Sequence, residues 1–423
     1  MKTNLKEINS YTRQLDVTIT WNLIEKDYHL EFNRARSRYS MPGFRKGKVP
    51  ITIVKKNLGP SIDANFAENS INTYYRKALE ELQIAPINEA SIDNLNFKEG
   101  LDLSFTAHFE VHPEVNLPKF KKKFKIKAVR YLPEDVDVEQ ELTNYQEQHA
   151  TIKTIESGAE SGNFIRGDFQ VIDESGLPVS ENKLEDQYIR LGFGMFKETA
   201  EKVFLGAKVG DEIEVTIHGK DKPLNYKVKV NRVEEQILPE LNNELAKTIN
   251  AKFNTLEELK IQIKENLQVS FDKDHKELIR KEIINYFIDN SKVDAPESMV
   301  SIYLNQIKQD LLKRNQQFEE KELHDNYKSH AEWNIKWFLI KDQIIKEEDI
   351  DVTDEEIKNK IDEMITQNKE NEDKIRDFMK ESKNKQNLYN EILNDKLFDN
   401  LCDYAKVKVV EQSTNELRKK QAA

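Results

Sequence analysis

Cysteine is almost missing from this 423-residue chain. Its one example, Cys402, excludes an intramolecular disulfide framework and a cysteine-rich zinc site. Long apolar runs are missing too: the longest stretch free of Asp, Glu, Lys and Arg is the ten residues 298–307. A transmembrane helix needs roughly 20 mostly apolar residues, so no membrane span is expected. The opening Met1-Lys2-Thr3-Asn4-Leu5-Lys6-Glu7 leads into no apolar segment; no secretory signal is expected, and the cytosol is the expected compartment. Glycine is absent from the last 204 residues, all 13 lying between Gly43 and Gly219, and from Leu241 onward Pro296 is the only proline. Without these breakers, and with Leu, Ile, Glu, Lys and Gln abundant, the C-terminal region is predicted to be helical almost throughout.

What is present is charge. Asp, Glu, Lys and Arg make up 33% of the chain against 38% for the apolar set, the balance of a soluble protein with modest cores. The 65 basic and 76 acidic residues give a net charge of −11. Such a chain repels nucleic acid as a whole, so any RNA contact has to come from a local basic patch. The length suggests about three domains.

Three textures divide the sequence. Up to His112 it reads as mixed α+β. Leu15, Val17 and Ile19 alternate with Gln14, Asp16 and Thr18, the period of a half-buried strand, and residues 21–39 are polar and compatible with a helix. Ile62, Phe66, Ile71, Tyr75, Leu79 and Leu82 step as an amphipathic helix over 61–82, and residues 101–111 alternate again as a closing strand. One helical layer on a small antiparallel sheet is the economical packing. A charged connector over 113–153 leads to a β-rich domain at 154–237, with strands predicted at 169–172, 213–217 and 226–233 and a short helix near 197–204. From 238 to 423 the apolar stripes mark six helices, with Leu256 to Leu267 on one and residues 278–288 on a second. No fixed repeat period is seen, which speaks against a solenoid. Each stripe is one face wide, so the helices are expected to pack as pairs or long arms.

Between Phe32 and Ile62 stand Arg34, Arg36, Arg38, Arg45, Lys46, Lys48, Lys55 and Lys56, with no acid among them. In so acidic a chain this reads as the one place that could favour a polyanion. Two glycines and two prolines in Pro42-Gly43-Phe44-Arg45-Lys46-Gly47-Lys48-Val49-Pro50 forbid a continuous helix and make an exposed loop. That loop presents one aromatic ring, Phe44, among three cations. It suits a surface where an RNA backbone and a protein pocket lie side by side. The bland alternative is a solvated loop with Phe44 tucked into its own domain.

Gly43-Phe44-Arg45-Lys46-Gly47-Lys48-Val49-Pro50 resembles the ribosome-docking signature of bacterial trigger factors at every position. Phe105-Thr106-Ala107-His108-Phe109-Glu110-Val111-His112-Pro113-Glu114-Val115 is similar to the strand leaving that family's docking domain. Leu238-Pro239-Glu240-Leu241 is similar to the exit from its central domain. Pro296, the Trp337 helix and Val352-Thr353-Asp354-Glu355-Glu356-Ile357 resemble its C-terminal module. The resemblance implies a multidomain α+β protein: an N-terminal α+β ribosome-docking domain at 1–112, a small FKBP-like β-rich domain at 154–237, and an all-helical C-terminal body with arms at 238–423. It implies an ATP-independent, ribosome-associated chaperone that shields nascent chains. Gly43, Phe44, Arg45, Lys46, Gly47 and Lys48 would contact a tunnel-exit protein and rRNA of the large subunit. The other implied partners are nascent and unfolded polypeptides and, off the ribosome, a second copy of the chain. Of Ile307, Leu311, Trp333, Phe338, Met364 and Phe378, most are expected in the core, with the client-facing ones unassigned.

The family's central domain is similar to FK506-binding prolyl isomerases, whose pocket desolvates an X-Pro amide and so lowers its ~18–20 kcal/mol rotation barrier. Prolyl isomerisation as the main activity is therefore the alternative function. This chain keeps Asp168 and Phe169, Phe193 within Gly192-Phe193-Gly194-Met195, and Phe196, a remnant of that pocket. It lacks the Pro-Gly-Phe of the next segment, and His218-Gly219-Lys220-Asp221-Lys222-Pro223 replaces the longer aromatic flap. Weak or no isomerase activity is expected. His324 and His330 lack metal-ligand spacing, and no phosphate loop or nucleophile elbow is found. No catalytic residue, metal or cofactor is called for.

Overall fold

The structure is a computed structural model that describes residues 1–173, 176–218, 223–314, 318 and 320–422. In chain order it begins with β1 (Lys2–Glu7), β2 (Thr12–Ile19), α1 (Trp21–Arg38), α2 (Ile51–Leu82), β3 (Ser91–Asn96) and β4 (Leu103–Glu110). Next come β5 (Phe124–Leu132), α3 (Asp135–Gln148), β6 (Thr151–Thr154), β7 (Phe164–Ile172), β8 (Pro178–Arg190), α4 (Thr199–Phe204), β9 (Glu212–His218) and β10 (Pro223–Ile237). Helices α5 (Asn243–Ile249), α6 (Leu256–Asn290), α7 (Glu297–Lys313), α8 (Glu320–Glu347), α9 (Asp354–Gln367), α10 (Glu372–Phe378) and α11 (Ser382–Tyr404) follow, then β11 (Ala405–Ser413) and α12 (Asn415–Ala422). No helix among the described residues is long and apolar enough to cross a membrane.

The chain forms two compact units, each built from separated segments: Met1–Ala128 with Leu278–Lys408, and Val129–Glu277 with Val409–Ala423. Consecutive domains are what composition suggests, because composition is a local property. The structure instead closes each unit with a late return of the chain.

In the first unit β1, β2, β4 and β3 form an antiparallel sheet in that order. Register sets Leu15 opposite Ala107, Val17 opposite Phe105 and Ile19 opposite Leu103, so the alternation read from both strands falls on one buried face. Ile24, Tyr28 and Phe32 of α1, with Val54, Ile62 and Phe66 of α2, cover that face. α2 starts at Ile51, ten residues before the apolar stripe suggests, and carries Pro60 inside it. Pro60 removes one backbone donor, but buried Val54 before it and Ile62 after it hold both halves on the sheet. Farther along the chain, Phe120, Phe124 and Ile126 pack with Ile283, Phe287, Ile340, Ile344, Leu397 and Leu401. A neighbouring cluster joins α7 to α8 through Val300, Leu304, Leu323, Ala331 and Ile335. Glu110 Oε2 accepts from both the Ser298 N–H (3.0 Å) and its hydroxyl (2.5 Å), tying the end of β4 to the first turn of α7.

The second unit holds a five-stranded sheet in which β10 pairs with β6, β7 and β9, and β7 with β8. Its core is Ile165, Phe169, Leu191, Phe204, Val215, Val228 and Val230. The three strands and the short helix expected here are all found, each longer or shorter by a few residues. α3 packs on α5 and the start of α6 through Val138, Leu142, Ala246, Leu259 and Ile263, so the connector of the sequence reading carries regular structure.

The C-terminal region is helical apart from β11, which pairs with β5 across a large sequence separation. The two helices expected at 256–267 and 278–288 are one, α6. The polar run between them carries no glycine or proline, and Arg130 bonds Asp272 (2.7 Å) while His275 Nδ1 meets the Val129 carbonyl (2.8 Å) along it.

Candidate functional site

The basic segment is two helix ends and the loop between them. α1 stops after Arg38, and Pro50 caps α2. Between them the Phe44 N–H bonds the Met41 carbonyl (3.1 Å) and the Lys48 N–H the Arg45 carbonyl (2.9 Å), two successive turns. Gly47 folds the loop back on α1 through a 3.1 Å bond from its N–H to the Tyr39 carbonyl. Its φ of +78° and the 3.0 Å from a would-be Cβ to the Ser37 carbonyl make any other residue strained there. Gly43, at φ +89°, has open space around it and is needed for the turn alone. Val49 is fully buried and anchors the loop, and Arg36 Nε donates to its carbonyl (3.3 Å).

These constraints push the tip outward. Phe44 is 41% exposed and belongs to no hydrophobic cluster, so it is not tucked into its own domain. Arg45, Lys46 and Lys48 beside it are exposed, as are Arg34, Arg38 and Lys56. Of the eight cations, Lys55 is paired, with Glu99 at 2.5 Å, and Arg36 is held by the loop. Among the described residues the other six make no ion pair, so their field is uncompensated locally.

Of the four central residues Phe169 and Phe196 meet ring to ring, while Asp168 and Phe193 find other partners. Asp168 and Phe169 are neighbours on β7 and point to opposite faces. Asp168 Oδ1 accepts from the Asp186 N–H (2.8 Å) and from Asn231 Nδ2 (3.0 Å). The Asp186 bond, ahead of the Asn231 one, holds its carboxyl below the usual range. Phe169 is buried, its ring edge-on to Phe196 and Tyr226 at 6.0 Å each. Phe193, 49% exposed on the turn made by Gly192 and Gly194, lies under the Arg190 guanidinium at 3.9 Å. A hollow of about 390 Å³ beside this turn is lined by Met195, Val203 and Val215 and by none of the four. The flap positions 219–222 lie outside the described residues. Of the six arm residues expected mostly in the core, Phe338 and Phe378 are exposed and the other four half-buried.

Comparison with known proteins decides the family. Residues 1–145 match the model for bacterial trigger factor protein, and residues 255–403 the model for its C-terminus. A trigger factor of Clostridium tetani is 30% identical over 436 residues, covering 96% of this chain and 99% of its own. The chain belongs to the bacterial trigger factor family. A trigger factor of Chlorobaculum parvum is also 30% identical, over 85% of this chain and 86% of its own. A solved structure reported as "Promiscuous Substrate Recognition in Folding and Assembly Activities of the Trigger Factor Chaperone" shares the fold at 21% identity, with a TM-score of 0.51 over 95% of this chain and 99% of that one. The chain thus has the multidomain α+β architecture of this chaperone family.

The sequence reading missed a second set of cations. Seven Lys or Arg and no acid stand between Glu114 and Glu134, a run as lopsided as the first. Its charge count alone could have flagged it, although the ladder that brings Lys406 and Lys408 to it could not be read.

Proposed function

We propose that this member of the family docks beside the polypeptide exit of the large ribosomal subunit through the 43–50 loop and there shields nascent and unfolded polypeptides, in the cytoplasm. The observation that carries the reading is the exposed Phe44 ring on a glycine-set tip among unpaired cations. A ring that enters a protein pocket gives orientation and slow release, while Arg45, Lys46 and Lys48 meet phosphates and acids around it. Exposed Phe338 and Phe378, scattered among charges, suit weak, quickly reversed client contacts, which a chaperone without ATP requires.

Co-sedimentation with bacterial ribosomes across a salt series tests the docking. Two or three neutralised phosphates predict that log affinity falls against log salt with a slope of about −2. The Phe44, Arg45 and Lys46 triple alanine variant is expected to lose binding with its fold intact; equal binding by variant and wild type refutes the assignment. Prolyl isomerisation is the poorer reading. Asp168 is committed to the β8 backbone and Asn231, and Phe169 to the core.

A further inference from the structure

The ladder between β5 and β11 builds a second charged surface within the first unit. Alternation buries Phe124, Ile126 and Ala128 and leaves Lys125 and Lys127 exposed, while Lys406 and Lys408 are exposed on β11. All four line one hollow of about 740 Å³, bounded on its other side by the Glu282–Asn290 stretch of α6. The hollow also has apolar lining. Ile126, Val407 and Tyr286 contribute to it, and Tyr286 is held in place by stacking on Phe124 at 4.3 Å with 15° between the rings. The lysine stems add methylene surface while their ammonium groups stay in water. None of the four lysines makes an ion pair among the described residues. Glu282 and Asp289 also line the hollow, so four cations stand against two carboxylates.

We propose that this hollow binds an extended, acidic polypeptide segment, an apolar or aromatic side chain entering it while flanking Asp or Glu carboxylates meet Lys125, Lys127, Lys406 and Lys408. Charge complementarity selects the occupant. An excess of exposed lysine ammoniums over an apolar lining favours carboxylates spaced around an apolar residue. Glu282 and Asp289 repel a continuous phosphate backbone, and Asn285 and Asn290 offer both donors and acceptors to a peptide. The site therefore takes negatively charged clients that the acidic chain as a whole repels. This rests on the chaperone reading above but not on the docking loop, from which it is separate in residues and in test.

Fluorescence anisotropy without ribosomes reads it directly, using the full chain and a labelled unstructured peptide with one Phe flanked by Asp and Glu. A charge-inverted peptide carrying Lys at those positions is the comparison. Replacing the four lysines together by Gln is expected to weaken the acidic peptide about tenfold, the sum of two or three rim ion pairs. Restoring charge with Arg should recover it, and the inverted peptide should gain rather than lose. All four positions are exposed, so a thermal melt of the variant should overlay wild type. Unchanged affinity in the Gln variant, or no binding of the acidic peptide to wild type, overturns the proposal. So does a Gln variant that keeps its peptide affinity and loses ribosome retention, which makes the ribbon an RNA contact. Failure of the Phe44, Arg45 and Lys46 variant to affect co-sedimentation leaves this result untouched.

Discussion

Gly47→Ala and Gly43→Ala form a matched pair that separates crowding from backbone conformation in the loop. Both glycines sit at positive φ, +78° and +89°, where an alanine costs about 1–2 kcal/mol. At Gly43 nothing lies within 4 Å of the added methyl. At Gly47 the methyl stands 3.0 Å from the Ser37 carbonyl oxygen and 3.3 Å from its Cα, both backbone atoms of α1 that cannot swing aside. That contact adds roughly 1 kcal/mol or more, in the range of overpacking penalties, a further fivefold or so in the open fraction of the loop. The loop opens rather than the domain, because Val49 and the α1–α2 packing lie outside the strained turn. Hydrogen exchange off the ribosome measures this at two amides: residue 47, bonded to the Tyr39 carbonyl, and Lys48, bonded to that of Arg45. Gly47→Ala should exchange at both sites at least fivefold faster than Gly43→Ala, and its ribosome affinity should fall in the same order, since only the closed loop presents Phe44. Equal exchange in the two variants would show that the approach to Ser37 places no constraint on the loop.

Asp16 carries a pH signature: hydrogen bonds first from Gln14 and then from Lys6 bring its carboxyl down to about 2. A folded value below the unfolded one contributes stability above the ordinary carboxylate range and loses it as pH falls toward 2; Asp16→Asn should flatten urea midpoints across that acid window. Asp168→Ala should slow no proline-limited refolding of a test client, because its carboxylate binds the Asp186 backbone rather than a substrate; a lost catalytic rate would restore the isomerase reading. Thr353 and Glu356 form a reciprocal capping box at the start of α9, so Thr353→Ala should cost about 1 kcal/mol in chemical denaturation with the fold retained. Phe338→Ser and Phe378→Ser, changing exposed rings, should leave the melt unmoved and weaken the hold on an unfolded client in an aggregation assay.

The residues that were easiest to read are those whose neighbours in space are also neighbours in sequence. Leu15, Val17 and Ile19 declare their strand by alternation, and the loop declares itself by Gly43 and Gly47. Gly59-Pro60 obscured the first turns of α2 because local propensity was outweighed by Val54 packing on the sheet. α6 was divided where its apolar stripe fades, although nothing there ends a helix. β11 was lost inside a region without breakers, since its reason to be a strand is β5, nearly three hundred residues earlier. The exposed basic tip was legible as chemistry. The lysine-rimmed hollow was not, because half of its cations arrive by that distant pairing.

That pairing also sets a clock. When a ribosome makes this chain, the sheet and helices of residues 1–110 can close as soon as they emerge. Phe120, Phe124 and Ile126 cannot, for the first of their partners, Ile283 and Phe287, are still roughly 160 residues from synthesis and the last, Leu397 and Leu401, roughly 270. At about 5–20 residues per second they wait on the order of 8 to 30 seconds for the first of these and 15 to 55 seconds for the cluster to be complete. Lys119, Lys121, Lys122, Lys123, Lys125 and Lys127 are interleaved with them, giving the waiting strand the charge that keeps one unpaired edge from adding to another. A member of a chaperone family is thus, for some tens of seconds, itself a nascent chain with an open edge, and it carries its own protection in the same lysines.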